Sequence, residues 1–69
     1  MTRVDRLDFR NAALRRWLSR QPEAVTTLQA AGFTGLTTPR TRELLRRLGA
    51  VEVGMRDRSL WWVAPARWP

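Results

Sequence analysis

The stretch from Thr38 to Gly49 reads as a helix with marked ends, and it sets terms for the rest of the chain. Thr38 is a good N-cap, because its hydroxyl can accept from the free N–H groups of a first turn. Pro39 suits the first helical position, where its fixed φ is already helical and its missing N–H is not needed. Gly49 is the kind of residue that stops a helix in the left-handed conformation. The body runs from Arg40 to Leu48. Thr41, Leu44, Leu45 and Leu48 share one face. Pro39, Arg42, Glu43 and Arg46 point the other way, with Arg40 and Arg47 on the flank. The segment is therefore a helix with a core side and a cationic side.

The flanking segments supply what that helix packs on. Asp5 or Asp8 caps a first helix. In it Leu7, Leu14 and Leu18, with Phe9, Ala13 and Trp17, recur at helical spacing as one apolar face. Arg10, Arg15, Arg16 and Arg20 fall mostly off that face, and Pro22 ends the helix near Arg20. A short second helix covers the Glu23 to Ala31 region, with Thr26 or Thr27 as its cap. Val25, Leu28 and Ala31 face inward, Gly32 stops the helix, and Phe33 anchors the following turn in the core. Thr34 to Thr37 connect it to the third helix.

After Gly49 the pattern turns to strands. Val51-Glu52-Val53 alternates in polarity, and Ser59 to Val63 is rich in aromatic and β-branched residues, so a hairpin forms with Gly54 to Arg58 as its turn. A register of Gly54 against Ser59 sets Val53 against Leu60 and Val51 against Trp62. Those four apolar residues then make the buried face, and Glu52 and Trp61 take the other. Residues 1–4 and 64–69 are expected to be irregular tails. Trp17 and Trp62 belong to the core. Trp61 and Trp68 either pack under the tail or contact a protein partner or a twin subunit.

Composition narrows the chemistry. A chain of 69 residues makes one domain with a modest core. It has no Cys, His, Tyr or Lys, which removes disulfides, thiol catalysis, the commonest general base and the Schiff-base amine. The six acids, Asp5, Asp8, Glu23, Glu43, Glu52 and Asp57, each have a local place as cap, helix surface or turn. No pair of them converges for acid–base work or metal binding. No Gly-rich phosphate loop is present. The expectation is a protein that is not an enzyme, with no catalytic residue, cofactor or metal. No apolar run reaches transmembrane length and no signal-peptide core is seen, so a cytoplasmic, nucleoid-associated protein without a membrane partner is expected.

The charge is the positive signal. All 13 basic residues are arginine, and the formal net charge is +7. GC-rich codon usage accounts for arginine in place of lysine, but not for an excess of base over acid of about two to one. Arginine presents a planar fork that fits phosphate and guanine edges, so the excess points to a polyanionic partner.

The order helix, helix, tight turn, helix, hairpin resembles the winged helix-turn-helix superfamily, in the form found in phage and plasmid replication proteins and small bacterial regulators. The resemblance lies in Thr37-Thr38-Pro39-Arg40-Thr41-Arg42-Glu43-Leu44-Leu45-Arg46-Arg47-Leu48-Gly49-Ala50-Val51 and in Arg56-Asp57-Arg58-Ser59-Leu60-Trp61-Trp62-Val63. It implies an α+β fold of residues 1–69, with three helices and a C-terminal two-stranded hairpin as wing. It also implies a division of labour. The third helix enters the major groove of double-stranded DNA, with the Thr37, Thr38 and Thr41 hydroxyls on phosphate or a base edge and Arg40, Arg42 and Arg46 within reach of the DNA, and Arg56 and Arg58 on the wing lie over the neighbouring minor groove or backbone. The alternative for these arginines is a solvated helix surface paired with Glu43.

The function expected on that resemblance is DNA binding by occupancy. The protein would be a transcriptional regulator such as a repressor, an architectural factor or an origin-binding factor. Two rival readings stand beside it. One is an interaction module docking on a polymerase or replication factor, and the other an RNA-binding winged helix. A homodimer is open in each case.

Overall fold

Trp62 is the residue around which the other elements are arranged. The computed structural model describes residues 6–68, with side chains described from Arg10 onward. The chain is α+β. Three helices, α1 (Arg6–Ser19), α2 (Thr27–Thr34) and α3 (Thr38–Leu48), pack with a three-stranded antiparallel sheet of β1 (Val25–Thr26), β2 (Val51–Arg56) and β3 (Ser59–Val63). The strand order is β1-β3-β2, so β3 is central and Trp62 lies on the middle strand. The core joins Leu14 and Leu18 of α1, Val25 of β1, Ala30 of α2, Leu44 and Leu45 of α3, Trp62, and Trp68 from the tail. Each fully buried large apolar side chain contributes about 1.5–3 kcal/mol, which lets a small core hold three helices.

α1 buries Leu14 and Leu18, one turn apart, and leaves Arg10, Arg15, Arg16 and Arg20 exposed, as the spacing predicts. Its last carbonyls are satisfied locally. Gln21 Nε2 donates to Trp17 O at 3.0 Å and Ser19 Oγ to Arg15 O at 2.9 Å, before Pro22 blocks continuation. Asp8 lies inside α1 and does not precede it. Asp5 and the side chains of Leu7 and Phe9 lie outside what is described.

The second helix departs from the sequence reading in phase and extent. It starts at Thr27, not Glu23, with Thr26 as its N-cap. Thr26 Oγ1 accepts from Gln29 N at 3.1 Å, and Gln29 Oε1 accepts from Thr26 N at 2.8 Å, a reciprocal capping box. A cap residue has extended backbone, and here Val25 and Thr26 use that extension to pair with Trp62 and Trp61 as β1, a strand the sequence reading lacks. Counting helical phase from Val25 is therefore invalid, because Val25 is in a strand. Phase counted from Thr27 buries Thr27, Ala30 and Ala31 and turns Leu28 to solvent, where it is 70% exposed. Gly32 does not stop the helix. The left-handed residue is Gly35 (φ 74°), whose N–H returns to Ala31 O at 2.8 Å. Phe33 consequently lies at the surface, stacked on Trp17 with ring centroids 5.1 Å apart.

α3 begins one residue earlier than expected. Thr37 is the cap, accepting from Arg40 N at 3.4 Å, and Thr38 is the first helical residue. Pro39 still falls within the first turn, where no partner for its nitrogen is required. Gly49 (φ 86°) ends the helix as predicted. Thr41, Leu44 and Leu45 are buried, and Leu48 packs at the core's edge.

The hairpin is longer and its turn tighter than the sequence suggests. β2 runs to Arg56, and Asp57 and Arg58 alone form the turn, both at positive φ (52° and 64°). The register sets Arg56 against Ser59, Met55 against Leu60 and Gly54 against Trp61. An irregularity at Val53 then brings Glu52 against Trp62 and Val51 against Val63. One extra residue in a strand reverses which side chains face the core. Val51 and Val53 are therefore exposed, contrary to expectation, while Glu52 and Met55 share a face with Leu60 and Trp62. The tail has no regular element among its described residues, but it folds back. Trp68 is 9% exposed in the core, with the Arg15 guanidinium 5.1 Å from its ring centroid.

A buried indole N–H needs an acceptor. Trp62 Nε1 donates to Thr27 Oγ1 at 2.8 Å, and Thr27 Oγ1 in turn lies 3.3 Å from Leu60 O as donor. Thr27→Val preserves the volume and orphans the indole. We expect urea denaturation to show a loss of about 1–3 kcal/mol, and an unchanged midpoint would show that this bond carries no weight.

Candidate functional site

Residues recurring every fourth position on a helix lie on one stripe. Thr38, Arg42 and Arg46 do so along the exposed side of α3, spanning about 12 Å of helix axis. The stripe faces the hairpin. Together with Arg58 and Ser59 from the turn, Met55 and Leu60 from the strands, and Leu28 from α2, it lines an open groove of about 600 Å³. The local folding explains the assembly. The Thr26 capping box turns Leu28 outward, the left-handed Gly49 reverses the chain so that β2 runs back beside α3, and the two-residue turn places Arg58 at the rim.

The groove is cationic with one exception. It holds Arg42, Arg46 and Arg58 against the single carboxylate of Glu52. Glu52 Oε1 accepts from Arg46 Nε at 2.7 Å. Leu28 and Met55, 70% and 69% exposed, place apolar surface beside the charges.

Of the residues singled out from sequence, the structure therefore gathers Thr38, Arg42, Arg46 and Arg58 in one place. The others go elsewhere. Thr41 is fully buried, and its hydroxyl lies 3.1 Å from that of Thr34, which joins α2 to α3 across the turn; it is not available to a ligand. Thr37 is exposed, but its hydroxyl caps α3. Arg40 lies on the other flank of α3, in a depression of about 360 Å³ shared with Arg10, Glu43 and Arg47. There Arg47 pairs with Glu43 at 3.0 Å, so the pairing that the solvated-surface alternative predicts is present, but away from the groove. Arg56 lies on the opposite face of the hairpin, beside Trp61 and Glu23. Trp61 Nε1 donates to Arg56 O at 3.0 Å, and its ring sits across from Gly54, where no side chain competes. Trp68 is occupied in the core.

Leu28, Glu52 and Met55 are groove residues that sequence reasoning missed. Leu28 was legible from the Thr26-x-x-Gln29 capping pattern, which fixes helical phase. Glu52 and Met55 were not, because nothing local announces the irregularity at Val53.

No protein-family model matches the chain, no curated protein matches it, and no solved structure matches it. Among the described residues no helix is long and apolar enough to cross a membrane, and no three His, Cys, Asp or Glu side chains converge.

Arg58 adopts the left-handed conformation, which costs an L-residue with a Cβ roughly 1–2 kcal/mol relative to glycine. Arg58→Gly should therefore raise stability by about 1 kcal/mol in thermal or urea unfolding. A destabilised Arg58→Gly variant would mean that the arginine side chain supports the hairpin and is not held there against strain.

Proposed function

We propose that this chain is a winged helix-turn-helix protein that binds double-stranded DNA through α3 and the β2–β3 hairpin and acts by occupancy, without catalysis. The observation that carries the proposal is the shared groove. Three arginines from two elements, Arg42 and Arg46 on α3 and Arg58 at the turn of the hairpin that follows it, line one open surface, and the α3 stripe is as long as the major groove is wide, about 12 Å. The element order α1-β1-α2-α3-β2-β3 is compatible with a winged helix in which β1 completes the sheet behind the hairpin. In this reading α3 lies in the major groove, with Arg42 reading base edges from its first half. Arg58 at the hairpin turn meets the flanking backbone. Regulation of transcription, DNA architecture and origin binding are all roles that such occupancy can serve.

One observation favours a second reading. Leu28 and Met55 give the same groove more exposed apolar surface than phosphate binding requires, as a docking module for a protein partner would have.

Gel shift with random duplex DNA across a salt series separates the two. The DNA reading expects micromolar or tighter binding at low salt that weakens as salt rises. Arg42→Ala and Arg58→Ala should each weaken binding and reduce the log–log salt slope by about 1. Arg16→Ala, on the outer side of α1, should do neither. Absence of binding at low salt, or equal losses in all three variants, rejects the proposal, and the former outcome favours the protein-docking module. Competition by structured RNA tests the RNA-binding alternative.

A further inference from the structure

Glu52 is out of place on a surface meant for a polyanion. Among the residues lining the groove it is the only acid, and its carboxylate repels phosphate. Stability does not explain it. The Arg46 and Glu52 side chains are 57% and 40% exposed, and ion pairs at such exposure contribute little to folding. Nor is its position incidental to strand alternation. Without the irregularity at Val53, Glu52 would lie on the opposite face from Met55 and point away from α3.

What Glu52 does hold is one atom of Arg46. Its Oε1 accepts from Nε at 2.7 Å. An arginine has five N–H donors, and with Nε engaged, four remain on the two terminal nitrogens. Those four form the end-on fork that fits the O6 and N7 acceptors of guanine. A long side chain fixed in this way loses less freedom when it binds. We infer that Glu52 is a positioning residue, which presents Arg46 as a fixed end-on fork toward a guanine edge. It thereby sets sequence discrimination at the expense of non-specific affinity. The inference rests on the reading of the groove as a duplex DNA site and adds to it a role for one residue.

The test compares binding to random duplex with binding to the best duplex that wild type selects from a random pool. Glu52→Ala should lower the preference for the selected duplex about tenfold, while binding to random duplex stays the same or tightens. Arg46→Ala should lose the same preference, and the Arg46→Ala/Glu52→Ala double variant should lose no more than Arg46→Ala alone. Glu52→Gln, which keeps an acceptor for Nε, should recover part of the preference. The exposed pair makes all these variants foldable, and thermal melts check it. Retained preference in Glu52→Ala overturns the inference, as do additive losses in the double variant or a Glu52→Gln variant as poor as Glu52→Ala. Wild type that binds duplex without sequence preference overturns this inference alone. Wild type that binds no duplex overturns it together with the DNA-binding reading.

Discussion

The fold depends on burying one large indole on a central strand and giving its N–H a partner. Trp62 is fully buried, and its bond to Thr27 links β3 to the first turn of α2. That link fixes more than stability. It ties the start of α2 to the sheet, so that Val25 and Thr26 run extended as β1 before the helix begins. It also sets the rotation of α2, with Ala30 and Ala31 inward and Leu28 outward. The Thr34–Thr41 hydroxyl contact then carries that orientation across the turn to α3. The position of the α3 stripe relative to the hairpin thus descends from a chain of buried polar contacts as well as from apolar packing. Such contacts specify one arrangement because each leaves an unsatisfied group if broken.

The legible parts of the sequence were those where a local rule and the tertiary fold agree. The α3 segment, with proline in its first turn, Gly49 at its end and Thr41, Leu44, Leu45 and Leu48 on one face, is present within one residue. α1 buries Leu14 and Leu18 as its spacing requires. The parts not legible were those decided by non-local contact. β1 is two residues long and exists because Trp61 and Trp62 are there to pair with it. The hairpin register was misplaced because a glycine at position 54 suggested a turn, whereas the turn is Asp57-Arg58, two non-glycine residues at positive φ. That two-residue slip leaves each side chain on its face; it is the irregularity at Val53 that turns Val51 and Val53 outward and sets Glu52 on the face of Trp62. Four of the eight residues proposed for DNA contact reach the groove. Those that do not were lost through burial (Thr41), capping (Thr37), helix flank (Arg40) and hairpin face (Arg56).

Several features of the groove are locally unfavourable. A left-handed arginine at the turn, two apolar side chains open to water and three arginines gathered on one surface each oppose folding or solubility. They meet between α3 and the hairpin, while the other exposed large apolar side chains, Phe33, Val51 and Val53, lie outside the groove. Other arginines also gather, Arg15, Arg16 and Arg20 in a depression on α1 and Arg10, Arg40 and Arg47 in one with Glu43, but neither depression is lined by hairpin residues. In the proposed reading the working face is the groove between α3 and the hairpin, set apart by this combination of features and not by net charge alone.

Amide chemical shifts recorded while a DNA duplex is titrated into labelled protein test that claim most directly. The account predicts that the largest changes fall on Leu28, Thr38, Arg42, Arg46 and Arg58, with α1 between Ala12 and Arg20 little affected. Changes centred on Arg15, Arg16 and Arg20, or around Trp61, with the groove silent, would contradict it.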